Sequence, residues 1–147
     1  MSTFTHEQHS LMKDKLSQAV KDFSYRLKRY KVSYSIAVGH TTKEDVDLSL
    51  VSGYIRETDR FITLNHNTCA VVFDCTDEIT GIKAANNLLT HFQGNYVSTP
   101  LYVSLVIANN YEADSKMIHE LFYLLDNAVE HNMDNIILEH AQVIQKQ

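Results

Sequence analysis

The sequence predicts one α+β domain, and three observations carry that prediction. Four stretches repeat apolar residues at helical spacing, and five shorter ones alternate or run apolar as strands do. The two kinds interleave in the order α-β-α-β-β-α-β-α-β. The chain's 147 residues are the length of one common domain, enough to bury about two-thirds of its unfolded surface without disulfides or metals.

The first thirty residues read as one helix. Met12, Leu16, Ala19, Val20, Phe23, Leu27 and Tyr30 recur on one face, and Thr5 with Gln8 stands where a capping box starts a helix. The apolar face of this helix can fold back on the sheet or pair with a second copy. Residues Val32 to Val38 then alternate as a strand does. Thr41 and Glu44 form a second capping-box pattern, opening a helix that turns Val46, Leu50, Val51, Tyr54 and Ile55 inward. Strands over Arg60 to Leu64 and Thr68 to Asp74 follow, joined at Asn65-His66-Asn67, whose short polar side chains suit a hairpin turn. Both strands are expected to be central, with Cys69, Val71, Phe73 and Cys75 on one face. Asp77 caps a helix carrying Ile79, Ile82, Ala85, Leu89 and Phe92. Leu101 to Ala108 is almost wholly apolar, as a central strand is. Asp114 caps the last helix, with Met117, Ile118, Leu121, Leu124, Leu125 and Ala128 on its buried side, and Asn135 to Glu139 is the final strand.

Composition narrows the functions. A hydrophobic share of 44% rules out a disordered chain. The net charge is −5, and the densest basic run, Lys28-Arg29-Tyr30-Lys31, reads as a helix end where cations suit the dipole. Duplex binding needs a larger basic footprint, so no nucleic-acid polymer is expected as a partner. No apolar run approaches the ~20 residues of a membrane span, and Met1 to Glu7 lacks a basic start followed by an apolar core. Neither membrane nor secretion is expected. Cys69 and Cys75 read as members of one strand that cannot easily reach each other, which fits a reduced pair and a cytoplasmic location.

The βαββαβ run inside the element order is a split, ferredoxin-like arrangement: a mostly antiparallel sheet of five strands, with helices on one face and an extra helix and strand at the two ends. Within it, Arg56-Glu-Thr-Asp59 precedes a strand, and Asn65-His-Asn-Thr-Cys69 precedes the apolar Ala70-Val-Val-Phe73. Val103-Ser-Leu-Val-Ile-Ala108 and Leu125-Asp126-Asn-Ala128-Val follow at matching distances. In order and spacing these segments resemble the GGDEF (diguanylate cyclase) domain: its R-x-x-D stretch, its G-G-D-E-F hairpin, its S-I-G-V-A strand and its A-D-x-A-L helix. The resemblance covers the chain from about Tyr30. It divides the chain into an N-terminal helix (1–30), the GGDEF-like domain (31–140) and a tail (141–147).

The departures from the family's pattern matter more than the matches. Asn65, His66, Asn67, Thr68 and Cys69 stand where the signature would be, and none of its residues is kept. The first strand ends in Val38-Gly39-His40, where the family has a metal-holding aspartate. Thr41-Thr-Lys-Glu leads almost directly into the next element, where the family has its guanine-reading Asn and Asp. His131-Asn-Met-Asp134 replaces the family's basic phosphate contacts. Phosphoryl transfer depends on metal and charge clamps around the phosphates, so the resemblance implies a degenerate pseudoenzyme without cofactor or metal.

Arg56 and Asp59 are the candidate site residues. In the family an R-x-x-D at this distance forms a regulatory site for cyclic di-GMP, where guanidinium grips phosphate or guanine and the carboxylate accepts from guanine N–H groups. The alternative is structural, with Arg56 at an element end and Asp59 tying the turn into the strand. A basic residue on the following helix often completes the family's site; this helix offers Lys83, with Asn87 nearer the expected place. His40, His66 and Cys69 were weighed as metal ligands and lack the spacing of a zinc site. His6 and His9 read as surface residues. Ser104 with His91 is rejected as a nucleophilic pair because Ser104 sits inside an apolar strand. The resulting expectation is a cytoplasmic bacterial receptor or adaptor in cyclic-di-GMP signalling. The alternative is a scaffold of the same fold that binds a protein partner or a second copy and no nucleotide.

Overall fold

In the computed structural model, which describes residues 4–139, the interleaved pattern folds into one five-stranded sheet covered on both faces. Helices α1 (His6–Ala19) and α2 (Lys21–Tyr30) lead into strand β1 (Tyr34–His40). A 3₁₀ stretch (Leu48–Tyr54) precedes β2 (Arg60–Asn65) and β3 (Thr68–Asp74). Helix α3 (Glu78–Asn95), β4 (Tyr102–Ile107), a single 3₁₀ turn (Ala108–Asn110), α4 (Asp114–Glu130) and β5 (Ile137–Leu138) complete the order. The strands lie β2-β3-β1-β4-β5, antiparallel except for the parallel β4–β5 pair.

Strand alternation builds two cores. Ile36, Val38, Ala70, Val72 and Val106 face α1, α2 and α4, while Ala37, Val71, Phe73, Leu105 and Ile107 face α3 and the 3₁₀ stretch. The first two helices are part of the first core, since Met12, Leu16, Val20 and Phe23 are buried in it. At α3 the helix lies close on β1: a Cβ at Gly81 would stand 2.7 Å from Ser35 Oγ. Among the described residues no helix is long and apolar enough to cross a membrane.

Several local expectations need correction. The N-terminal stretch is two helices, turned at Val20, which lets Met12 and Leu16 of one and Phe23 of the other reach the same core. The helix expected from Thr41 is absent. Thr41 is buried and its N–H bonds the Asn67 carbonyl, while Asp47 caps the 3₁₀ stretch through Ser49. Ser49, Val51, Ser52 and Gly53 are weak helix formers whose side chains or backbone compete with a regular helix. Helices cover both faces of the sheet, not one, because β1, β3 and β4 are apolar on both sides.

The strand arrangement also differs in detail. β2 is an edge strand, and its residues are correspondingly less buried than those of β3. Cys75 lies outside β3, exposed and in the left-handed backbone region, so it shares no face with Cys69. The last strand shrinks to Ile137–Leu138 because Asn135 takes a left-handed φ of 60° and bonds Leu101 by backbone and side chain. Asp114 is the first residue of α4 and not its cap; its carboxylate accepts from the Ser24 hydroxyl, at 2.7 Å. The tail from 141 lies outside the described residues. The predicted capping box at Thr5–Gln8 and the Asp77 cap are formed, the latter with Thr80, whereas the Thr41–Glu44 box is not.

Candidate functional site

Two places qualify as sites, one at each end of β3. At the first end the β2–β3 hairpin turns at His66-Asn67, and the Asn67 N–H bonds the Asn65 side chain. β1 ends beside it, with His40 opposite Thr68. The His40 Nδ1 lies 2.8 Å from Thr68 Oγ1, and Phe4 packs edge-on against the imidazole at 5.0 Å. His40 is buried, and that burial pushes its pKa down to about 4. A shallow cavity of about 220 Å³ beside it is lined by Phe4, Gln8, His40, Thr42 and the turn residues 65–67, with no carboxylate among them.

His40 and His66 border one cavity, as expected, but Cys69 does not join them. His40 and Thr68 face the first core, whereas Cys69 faces the second. Burial raises the Cys69 thiol to about 12, so it is a neutral core side chain. Ser104 and His91 are likewise apart: Ser104 is buried in β4, and His91 lies on exposed α3, stacked on Tyr54 at 3.9 Å.

The other end of β3 is ionic. Asp59 turns inward, its side chain only 3% exposed, while Arg56 is 55% exposed. The Asp59 carboxylate accepts from the Arg56 N–H at 2.9 Å, from Arg56 Nε at 3.2 Å, from Nη2 at 2.9 Å and from the Asp74 N–H at 2.9 Å. Arg56 Nη2 also donates to the Asp74 carbonyl. Those bonds occupy Nε and Nη2, and among the described residues nothing bonds Nη1. The bonds to Asp59 hold the guanidinium more firmly protonated than usual.

Asp74 is the residue sequence reasoning missed. Its backbone joins the Arg56–Asp59 loop, and its side chain pairs with Arg26 of α2 at 3.1 Å. A lone acid closing an apolar strand was the available signal. A cavity of about 140 Å³ lies beside Arg56, bordered by Tyr54, Asp59, Phe73, Asn87 and Leu88. Asn87 therefore does reach this place, and Lys83 is not part of its lining.

No family model matches the sequence, and no curated protein matches it either. Solved structures do. A microbial GGDEF domain, described for its interaction with cyclic di-GMP, superposes with a TM-score of 0.72 at 9% identity, over 86% of this chain and 92% of that one. The GGDEF domain of TpbB (YfiN) from Pseudomonas aeruginosa gives 0.69 at 13% identity, over 92% and 93%. That of DgcB from Caulobacter crescentus, in complex with c-di-GMP, gives 0.65 at 6% identity, over 86% and 89%. With a five-stranded sheet in the order β2-β3-β1-β4-β5 and these superpositions, this chain has the fold of a GGDEF domain.

Proposed function

We propose that this chain is a non-catalytic binding protein on a cyclase-type fold, an adaptor in the bacterial cytoplasm whose Arg56–Asp59 pair is a structural clasp. The observation that carries it is the hairpin end, where His40 and Thr68 form a buried neutral pair in place of acidic side chains. Phosphate-transferring sites need carboxylates to hold divalent metal and cations to offset phosphate charge. Neither kind lines the cavity there. The clasp reading is supported by Asp59, whose inward carboxylate is already engaged by two backbone N–H groups and a guanidinium.

A second reading keeps cyclic di-GMP as ligand. It is favoured by the half-exposed Arg56 beside the cavity it lines with Asn87, and by fold neighbours described with that nucleotide. Calorimetric titration with cyclic di-GMP separates the two. The adaptor reading expects no heat at millimolar ligand for the wild type. Heat that disappears in Arg56→Ala and weakens with added salt establishes the receptor instead. In parallel, incubation with GTP and Mg²⁺ or Mn²⁺ is expected to give no product above a protein-free blank. Product formation lost on changing His66 or Thr68 overturns the non-catalytic reading.

A further inference from the structure

The chain's positive charge is concentrated on one helix. Residues 21–31 hold five of the 13 Lys and Arg (Lys21, Arg26, Lys28, Arg29, Lys31) and only one of the 18 Asp and Glu (Asp22), so this stretch is +4 while the remainder is −9. Arg26 is committed inward to Asp74. The other four cations are exposed, and among the described residues none of them has an acidic partner. Between them stand Tyr25 and Tyr30, 58% and 63% exposed, their rings in edge contact at 6.3 Å, with the Arg29 guanidinium 6.0 Å from the Tyr30 ring. Tyrosine and arginine are enriched among the side chains that dominate binding at protein interfaces, tyrosine because it covers large area with few rotors and arginine because it presents a planar fork of donors.

A second feature adjoins this face. A cavity of about 330 Å³ opens between α2 and α4, with Lys28 and Lys31 at its rim. Leu27, Ala108, Tyr111 and Met117 line it on one side and Glu112 and Asp114 on another, so a partner's apolar side chain and not its carboxylates would enter it; the Tyr34 and Ser24 hydroxyls in its wall are bonded to each other at 2.7 Å. Ser24 in turn donates to Asp114. Those hydroxyls are thus already satisfied and call for no polar ligand; what the cavity lacks is an apolar side chain.

We propose that α2 is a docking surface for an acidic protein segment, which lays carboxylates along Lys21, Lys28, Arg29 and Lys31 and seats one apolar side chain in the cavity against Leu27 and Met117. The inference rests on reading the chain as a binding protein and supplies the partner's chemistry. Charge complementarity selects an acidic partner. The apolar pocket selects a protein segment over a nucleic acid, whose phosphates would find the cations but leave the cavity empty. The basic face is also short for a polymer footprint.

Fluorescence anisotropy with a labelled twelve-residue Glu/Asp peptide carrying one central Phe tests this on the full chain. Binding is expected at low salt, weakened at least tenfold by the double change Lys28→Glu with Arg29→Glu, and weakened again when the peptide's Phe becomes Ala. Circular dichroism of the charge-reversed variant checks that it is folded; because both side chains are exposed, it is expected to be. Filling the cavity by Ala108→Leu should remove the dependence on the peptide Phe and leave the salt dependence in place. Absence of peptide binding at millimolar protein overturns the proposal. So does equal or tighter binding of a twelve-nucleotide single strand. A self-association seen by sedimentation and abolished by the same charge reversal also overturns it, assigning the face to a second copy. None of these outcomes bears on the cyclase assay or the cyclic-di-GMP titration, so a failure here leaves the broader reading standing.

Discussion

The two ends of strand β3 solve the same problem, closing a sheet against water, in opposite ways. At Thr68 the closure is neutral and dry: one imidazole, one hydroxyl and a phenyl ring from the N-terminal segment. At Asp74 it is charged, with two arginines and two aspartates joined through backbone and side chain. The GGDEF resemblance places catalytic charge at the first end and regulatory charge at the second. Here the first end holds no carboxylate, and at the second Asp59 faces inward while Arg56 stays more than half exposed.

The neutral end gives the largest expected effect. His40 titrates at about 4 when folded against an ordinary 6.5, because burial penalises its cation. The unfolded chain then binds a proton that the folded chain refuses. This contribution is fully present above pH 6.5, is lost as the pH falls toward 4, and levels off below that. Across that window His40 should account for about 3 kcal/mol of lost stability. Urea denaturation of wild type and His40→Gln between pH 7 and 4 measures it. Gln can still bond Thr68 without gaining charge, so the two curves should converge on acidification. Parallel curves would mean that His40 is not the group being titrated.

The ionic end predicts a loss that is measured at neutral pH. Asp59→Ala removes the acceptor from two backbone N–H groups and leaves Arg56 without its carboxylate partner. Orphaning such donors costs about 2–3 kcal/mol. Asp59→Asn should recover part of it, since an amide oxygen accepts from one N–H but cannot engage both sides. Thermal melts at pH 7 suffice: at this chain length each kcal/mol moves the midpoint by roughly 2–4 °C. An unchanged midpoint in Asp59→Ala would return the pair to the solvent and to a ligand.

How much of this the sequence disclosed depends on the range of the interaction. The alternation of β1, β3 and β4 and the caps at Thr5 and Asp77 are local, and they were readable. The proximity of Arg56 to Asp59 was also local, three residues apart. Its direction was not, because Asp59 turns inward toward an N–H fifteen positions away. The Arg26–Asp74 pair, 48 residues apart, left no pattern at all. The missing helix after Thr41 failed for a different reason. The capping residues were present, but Thr41 was drawn into the hairpin by Asn67, and Ser49, Ser52 and Gly53 supplied no propensity to propagate a helix. The break at Val20 was hidden because both helices keep one apolar face, which a continuous helix would show as well.

The smallest expected effect is the most discriminating one. Arg56 and Asp59 touch each other through two bonds, so a simple ion pair would make their alanine substitutions equally costly. The geometry is asymmetric. Removing Arg56 leaves Asp59 with its two backbone donors, and it leaves the Asp74 carbonyl free to take water where the guanidinium was. An arginine more than half exposed loses screened charge and little packing. Arg56→Ala should therefore cost less than about 1 kcal/mol, against two or three times that for Asp59→Ala. A double-mutant cycle makes the difference quantitative, because the pairwise term is what remains after both single losses are subtracted. If the two single losses match, the guanidinium holds the loop and is not available to anything outside. If they differ as expected, Asp59 alone secures the turn, and Arg56, more than half exposed beside its cavity, keeps Nη1 free for whatever binds there.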